Sequence, residues 1–303
     1  MQFELTILGS SGAIPAYDRH PTSHYLQHSG QGFLIDCGEG TQLQMAKYSI
    51  KRGRLDHIFI SHLHGDHFFG LMGLLSAFNL NYRETPLYIY GPEGLEEIVT
   101  THFKYSKTVL KFAIHFFKTQ DTKPEVIFDS PLLSVETIPL QHRIPTTGFL
   151  FREKEGMRHI IPEKIHEYQI PVSEITAIKQ GADFSDKKGT VVTNKELTLD
   201  PDKPSSYAFC SDTIYTEDFV EQIKGVEVLY HEATFKIEHT ARAAETYHST
   251  TLQAATIAQK ADVGRLIVGH YSARYEDLNL LLEECKSVFE NSELAIEGQV
   301  YRF

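Results

Sequence analysis

Short apolar runs broken by turns mark the first half of the chain. Phe3–Leu8, Phe33–Asp36, His57–Ser61, Pro86–Tyr90, Leu132–Ile138 and Gly148–Phe151 have the length and composition of buried strands. Between them, Gly38–Lys47 and His67–Asn79 predict helices, the second because Phe68, Leu71, Met72, Leu75 and Phe78 fall on one face. The second half repeats the plan. Tyr207–Cys210, Val226–Tyr230 and Arg265–Gly269 read as strands, and Glu217–Lys224, Thr250–Lys260 and Glu276–Phe289 as helices. Strands alternating with helices in two comparable halves predict a layered α/β protein, sheets at the centre and helices outside, although no sequence repeat is legible.

Arg152–Ser206 departs from this pattern. Charged and turn residues dominate it (Glu153-Lys154-Glu155-Gly156, Asp183 to Gly189, Asp200-Pro201-Asp202-Lys203-Pro204), with a modest helical pattern over Pro162–Gln180. An excursion this long between two strands is either a tolerated surface insertion or an inserted functional arm. Its composition predicts no core of its own.

Composition narrows the class. With 303 residues, 41% hydrophobic and 23% charged, the chain is an ordinary folded protein of one large domain or two halves, which excludes disorder, collagen and coiled coil. The longest apolar stretch, Phe68–Phe78, is well short of the ~18 residues of a membrane span. Glu4 stands where a signal peptide would be basic, so a cytoplasmic protein without membrane contact is expected. Cys37, Cys210 and Cys285 are scattered without CxxC spacing and read as reduced, buried thiols. A net charge of −11 argues against indiscriminate coating of nucleic acid, so a polyanionic substrate would need a local positive site.

The chain has 16 histidines, and their placement carries the chemistry. His28, His102, His115, His159 and His166 stand alone and read as surface or core residues. The concentrated signal is Ser61-His62-Leu63-His64-Gly65-Asp66-His67, where the strand His57–Ile60 ends and the helix from Phe68 begins. Four potential metal ligands within six positions cannot all meet one ion from a regular element. A tight loop at Gly65 can aim two to each side, which suits two adjacent metals. Imidazole and carboxylate are zinc donors at ~2.0–2.1 Å per nitrogen, and the lack of thiolate argues against a closed structural site. Further ligands are expected just past other strands: His142, Asp212 and His270.

His62-x-His64-x-Asp66-His67 followed by His142, Asp212 and His270 resembles the metallo-β-lactamase superfamily. Finer motifs resemble ribonuclease Z, the tRNA 3′-processing endonuclease, over nearly the whole chain. They are Leu8-Gly9-Ser10-Ser11-Gly12-Ala13-Ile14-Pro15, Phe33-Leu34-Ile35-Asp36-Cys37-Gly38-Glu39-Gly40-Thr41-Gln42, His231-Glu232-Ala233-Thr234-Phe235, His248-Ser249-Thr250 and Ser272-Ala273-Arg274-Tyr275. The resemblance implies a single α/β domain over 1–303, an αββα four-layer sandwich, with an inserted arm at 152–198 that grips tRNA. It implies two Zn2+ per chain, one held by His62, His64 and His142, the second by Asp66, His67 and His270, with Asp212 bridging. It also implies a homodimer that cleaves the 3′ trailer from precursor tRNA, leaving a 3′-hydroxyl on the tRNA and a 5′-phosphate on the trailer.

In that chemistry His248 would protonate the departing ribose 3′-oxygen, Glu232 would orient His248, and Asp66 would take the water proton while ligating. Strand alternation sends His231 to the face opposite Glu232, a structural position. Arg274 would contact a phosphate or make a surface salt bridge. Three departures stand out. Val172-Ser173 replaces the arm's usual Gly-Pro, and the arm's basic residues (Arg152, Lys154, Arg158, Lys164, Lys179, Lys187, Lys188) are nearly matched by acids. Arg19-His20 stands where Arg-Asn is common. A hydrolase of a small phosphodiester or sulfate ester, such as a cyclic-nucleotide phosphodiesterase or an arylsulfatase, would share every ligand and differ in the arm and the Glu232/His248 pair. A non-catalytic RNA-binding relative would have lost ligands, and a di-iron oxidoreductase would show His-x-Glu-x-Asp in the first motif.

Overall fold

The computed structural model describes residues 3–186 and 189–303. In chain order the strands are β1 (Glu4–Gly9), β2 (Ser23–His28), β3 (Gln31–Ile35), β4 (Leu55–Phe59), β5 (Leu87–Gly91), β6 (Ile114–Lys118), β7 (Val126–Asp129), β8 (Leu133–Leu140), β9 (Thr146–Glu153), β10 (His159–Ile160), β11 (Phe184–Ser185), β12 (Val191–Val192), β13 (Thr198–Leu199), β14 (Ser206–Cys210), β15 (Val228–Glu232), β16 (Arg265–Gly269), β17 (Ser292–Leu294) and β18 (Val300–Arg302). The helices are α1 (Thr41–Lys47), α2 (Gly65–Phe68), α3 (Gly70–Leu80), α4 (Leu95–Tyr105), α5 (Pro162–Glu167), α6 (Val172–Lys179), α7 (Asn194–Leu197), α8 (Thr240–Thr246), α9 (Thr251–Lys260) and α10 (Asn279–Val288).

Two seven-stranded sheets result, ordered β18-β1-β2-β3-β4-β5-β6 and β17-β16-β15-β14-β9-β8-β7. Each holds a run of four parallel strands, β3 to β6 and β14 to β17, the structural form of the two-half plan. The sheets meet through aromatic rings. Phe33 lies against Phe151, Phe59 against Phe149, and His24 against Phe209 and Tyr230, with centroids 4.3 to 5.8 Å apart. Outside the first sheet, Leu71, Leu74, Leu75 and Phe78 of α3 and Val99 of α4 share a buried cluster with Leu34, Ile58 and Ile89. Outside the second, Ala254, Ala255, Ile257 and Ala258 of α9 and Leu281 of α10 cluster with Leu229, Leu266 and Val268. The layers are therefore helix, sheet, sheet, helix.

Several elements differ from the pattern reading. The predicted helix His67–Asn79 is two helices, because the Gly70 N–H leaves the helical ladder and donates to the Cys37 carbonyl at 2.9 Å. Only glycine fits there, since a Cβ would fall 2.1 Å from the Gly38 carbonyl oxygen. Glu217–Lys224 is a run of turns, with i to i+3 bonds such as Val220 to Glu217 and Gln222 to Phe219. Its apolar spacing serves burial all the same, as Phe219 and Ile223 enter the second cluster. Strand β2 escaped pattern reading because Ser23, His24 and His28 are buried where apolar residues would be expected. The cysteines are buried and free. Among the described residues no helix is long and apolar enough to cross a membrane.

Residues Ser130–Ser134 and Arg152–Pro204 form a compact unit of their own. The expectation that the excursion lacks a core is corrected: Ile170, Ile178, Phe184, Val192 and Leu197 make one. Asn194 ties it together, its Nδ2 donating to the carbonyls of Ile178 at 2.6 Å and Ala182 at 2.9 Å. The helical pattern Pro162–Gln180 divides into α5 and α6 around Ile170-Pro171, since the residue before proline is driven out of helical conformation. Lys187 and Lys188 lie outside the described residues.

Candidate metal centre

The carboxyl ends of several strands deliver the chemistry. β4 runs into Ser61–His67, β8 into His142, β14 into Asp212 and β16 into His270, while β15 ends on Glu232. Parallel strands put such ends on one edge, where ligands of open α/β sheets bind.

The predicted residues gather in two groups. In the first, His64 Nδ1 lies 3.1 Å from His62 Nε2 and 3.2 Å from His142 Nε2, and Asp212 Oδ2 lies 3.6 and 3.9 Å from those two Nε2 atoms. In the second, Asp66 Oδ2 lies 3.5 Å from His67 Nε2 and 3.3 Å from His270 Nε2, with Asp212 Oδ1 at 3.3 and 3.2 Å from the same nitrogens. Tetrahedral donors at ~2.0–2.1 Å from one ion sit roughly 3.3 Å from each other, so these separations are those of ligands sharing a cation. The two oxygens of Asp212 divide between the groups, as a bridging carboxylate's would.

Two atoms test the fit directly. His67 Nε2 and Asp212 Oδ1 are buried without a hydrogen-bond partner among the described residues. Such orphans carry a large desolvation cost unless a ligand satisfies them. Burial disfavours a charged His67, yet the carboxylates of Asp212, Asp66 and Asp36 hold its pKa well above the usual range. Burial likewise opposes ionised Asp212, while His270 and His67 hold it well below. The clustered, thiolate-free donor set fits divalent cations.

The imidazoles are aimed by partners that sequence reasoning did not assign. His67 Nδ1 donates to Asp36 Oδ2 at 2.6 Å, and Asp36 also accepts from the Ser61 N–H (2.8 Å) and Oγ (2.9 Å). Ser61 Oγ lies 3.0 Å from His62 Nδ1. His142 Nδ1 donates to the Tyr247 carbonyl at 2.8 Å, and His270 Nδ1 meets Thr234 Oγ1 at 2.9 Å. Asp36, Tyr247 and His270 hold left-handed backbone at φ 56, 59 and 59, the strained conformations that cluster at functional sites. Asp36 did leave a signal, an acid closing an apolar run, the placement that singled out Asp212.

Beside the centre, His248 Nδ1 donates to Glu232 Oε1 at 3.0 Å. Glu232 is fully buried and also accepts from the N–H groups of Thr213, Ser249 and Thr234 and from Thr234 Oγ1. Burial opposes the charged imidazolium, but the Glu232 carboxylate outweighs it and pushes His248 up to about 9. His248 stacks on His270 with centroids 5.3 Å apart. It also falls in a third group with Asp212 and His270. Its Nδ1 is committed to Glu232, which leaves Nε2 for chemistry. His231 is buried, hydrogen-bonded through Nδ1 to the Glu232 carbonyl at 2.6 Å, and belongs to no ligand group. Arg274 is exposed and lies over the Phe235 ring, 4.9 Å from its centroid, in a neighbouring cleft. His20 is tied to Glu297 and Arg19 to the Tyr275 carbonyl, both structural contacts.

A ribonuclease Z from Bacteroides fragilis is 47% identical over 297 residues, covering 98% of each chain. This chain belongs to the ribonuclease Z family. Human tRNase Z, short form, superposes with a TM-score of 0.71 at 28% identity over 98% of each chain. The metallo-beta-lactamase fold protein YhfI from Bacillus subtilis shares the fold, with a TM-score of 0.71 at 18% identity, covering 100% of this chain and 99% of that one. The profile of a family described as "Anti-Pycsar protein Apyc1" matches residues 3–161. That stretch holds His62, His64, Asp66, His67 and His142 but stops short of Asp212, Glu232, His248 and His270. The ribonuclease Z likeness spans all of them.

Proposed function

We propose that the protein is an endoribonuclease that removes the 3′ trailer from precursor tRNA, leaving a 3′-hydroxyl on the tRNA and a 5′-phosphate on the trailer. The observation that carries this reading is the Glu232–His248 pair beside the seven ligand residues, in a chain of the ribonuclease Z family. His62, His64 and His142 would hold one zinc, Asp66, His67 and His270 would hold a second, and Asp212 would serve both. When bound, the ions supply Lewis acidity that acidifies the attacking water and neutralises charge growing on the phosphate.

The protein's own residues handle the protons. Asp66 takes the proton of the attacking water. Burial opposes ionisation of Asp66, but His67 and His270 hold its carboxyl well below the usual range, so it stands ionised as the acceptor of that proton. As the bond from water oxygen to phosphorus forms, the bond to the ribose 3′-oxygen breaks, and His248 protonates that oxygen. A placed general acid contributes about 10²–10⁴-fold. Glu232 keeps the imidazole charged and oriented.

The arm at 152–198 serves as the tRNA-gripping site, and in a homodimer the arm of one subunit presents tRNA to the other. The test is incubation with a 3′-extended precursor tRNA and, in parallel, a small phosphodiester. A single cut at the trailer junction supports the assignment. Hydrolysis of the small diester alone moves it to the small phosphodiester or sulfate ester class.

A further inference from the structure

The cleft over the metal centre encloses about 540 Å3. Among the lining side chains that the chemistry above does not use, alongside Glu39 and Arg143, are Phe69 and Arg242. Phe69 sits at the break between α2 and α3 and is 66% exposed, although its neighbour Phe68 is buried. A Cβ on Gly65 would fall 2.2 Å from Phe69 Cε2, so the ring is seated on the ligand loop and backed edge-on by Phe68 at 5.1 Å. A large ring held in place yet uncovered beside a polar centre is not explained by core packing. Arg242 lines this cleft and also a neighbouring one of about 310 Å3, and His248 and His270 line both. Its guanidinium pairs with Glu245 at 2.6 Å, with both side chains more than half exposed. An exposed pair of this kind contributes little and is readily exchanged for a phosphate.

Resting on the precursor-tRNA reading, we propose that this cleft binds the single-stranded RNA flanking the scissile bond, with Phe69 stacking on a nucleobase and Arg242 gripping a backbone phosphate. Aromatic rings stack on any base because every base has a π-face, and arginine forks match phosphate oxygens. On an acidic chain, these are the localised contacts that RNA would require.

The experiment compares Phe69→Ala, Phe69→Leu, Phe69→Tyr and Arg242→Gln with the parent protein, measuring metal content, kcat and KM for one 3′-extended precursor tRNA across a salt series. Phe69→Ala and Phe69→Leu should each raise KM about 10-fold, while kcat and metal content hold and Phe69→Tyr behaves as the parent. Arg242→Gln should lower the slope of log KM against log salt by about 0.7, one phosphate contact on a single strand. Parent-like KM for Phe69→Leu would show that apolar packing suffices and overturn the stacking role. Metal loss in Phe69→Ala and Phe69→Leu alike would reduce the ring to a prop for the ligand loop. An unchanged salt slope overturns the Arg242 contact. A parent protein that binds metal and cleaves a small diester but no precursor tRNA overturns the underlying reading instead, and this subsite with it.

Discussion

Asp36→Asn tests whether the metal centre depends on how its imidazoles are aimed. Asp36 presents only acceptors, Oδ1 to the Ser61 N–H and Oδ2 to Ser61 Oγ and His67 Nδ1. Asparagine keeps the shape and tolerates the left-handed φ of 56. It replaces one acceptor with an NH2 donor. With that NH2 in the Oδ2 position, it meets the His67 Nδ1–H at 2.6 Å, donor against donor. The ring escapes by moving its proton to Nε2, the atom that faces Asp66 and Asp212, and a protonated nitrogen cannot ligate. With the amide reversed, the clash falls on the Ser61 N–H and displaces the start of the ligand loop. A hydrogen bond to a charged partner is worth about 1.5–3 kcal/mol. Loss of such an orienting partner lowers metal affinity about 10–100-fold, which is about 1.4–2.7 kcal/mol. Metal-free protein titrated with Zn2+ against a chromophoric chelator should therefore lose affinity by that factor at the Asp66–His67–His270 site, and far less at the His62–His64–His142 site. Two equivalents bound with parental affinity by a folded variant would refute the reasoning.

His248→Ala should retain both metals and lose at least ~10²-fold in turnover on precursor tRNA, whereas an emptied site would make His248 a ligand. The His248 pKa is raised to about 9 by Glu232, so the charged acid is present below that value and is lost as pH rises through it. Glu232→Gln removes the raising charge, and the alkaline limb of the kcat profile should move to lower pH; an unmoved limb contradicts the pairing. Replacing Arg152–Pro204 with a Gly/Ser linker should spare metals and small-diester hydrolysis and raise KM for precursor tRNA steeply. Mixing that variant with His248→Ala chains should restore activity through heterodimers, and unchanged KM in the deletion variant refutes the arm's role.

The candidate ligands that the structure gathers were legible because their residues have few other reasons to sit where they do. His62, His64, Asp66 and His67 crowd a strand-to-helix loop, and His142, Asp212 and His270 each follow an apolar run. The groups that aim them were harder to see. Thr234 acts through one hydroxyl, and Tyr247 through a backbone carbonyl that any residue supplies. The layered α/β plan followed from alternating periodicities and the four-layer sandwich from the family resemblance, but β2 followed from neither, because its buried histidines are polar side chains held by tertiary contacts such as His24 Nδ1 to Tyr207 Oη at 2.8 Å. The small core of Arg152–Pro204 hid for the opposite reason. Its apolar residues are spaced singly through a charged stretch and meet only when Asn194 folds the segment back on itself.

The most direct test of the central claim is trailer cleavage measured while metal-free protein is titrated with Zn2+. Two sets of donors around Asp212 predict that activity rises with added metal and saturates at two equivalents per chain, with a 3′-hydroxyl on the tRNA product. Saturation at one equivalent or fewer, or full activity in the metal-free protein, would contradict the account.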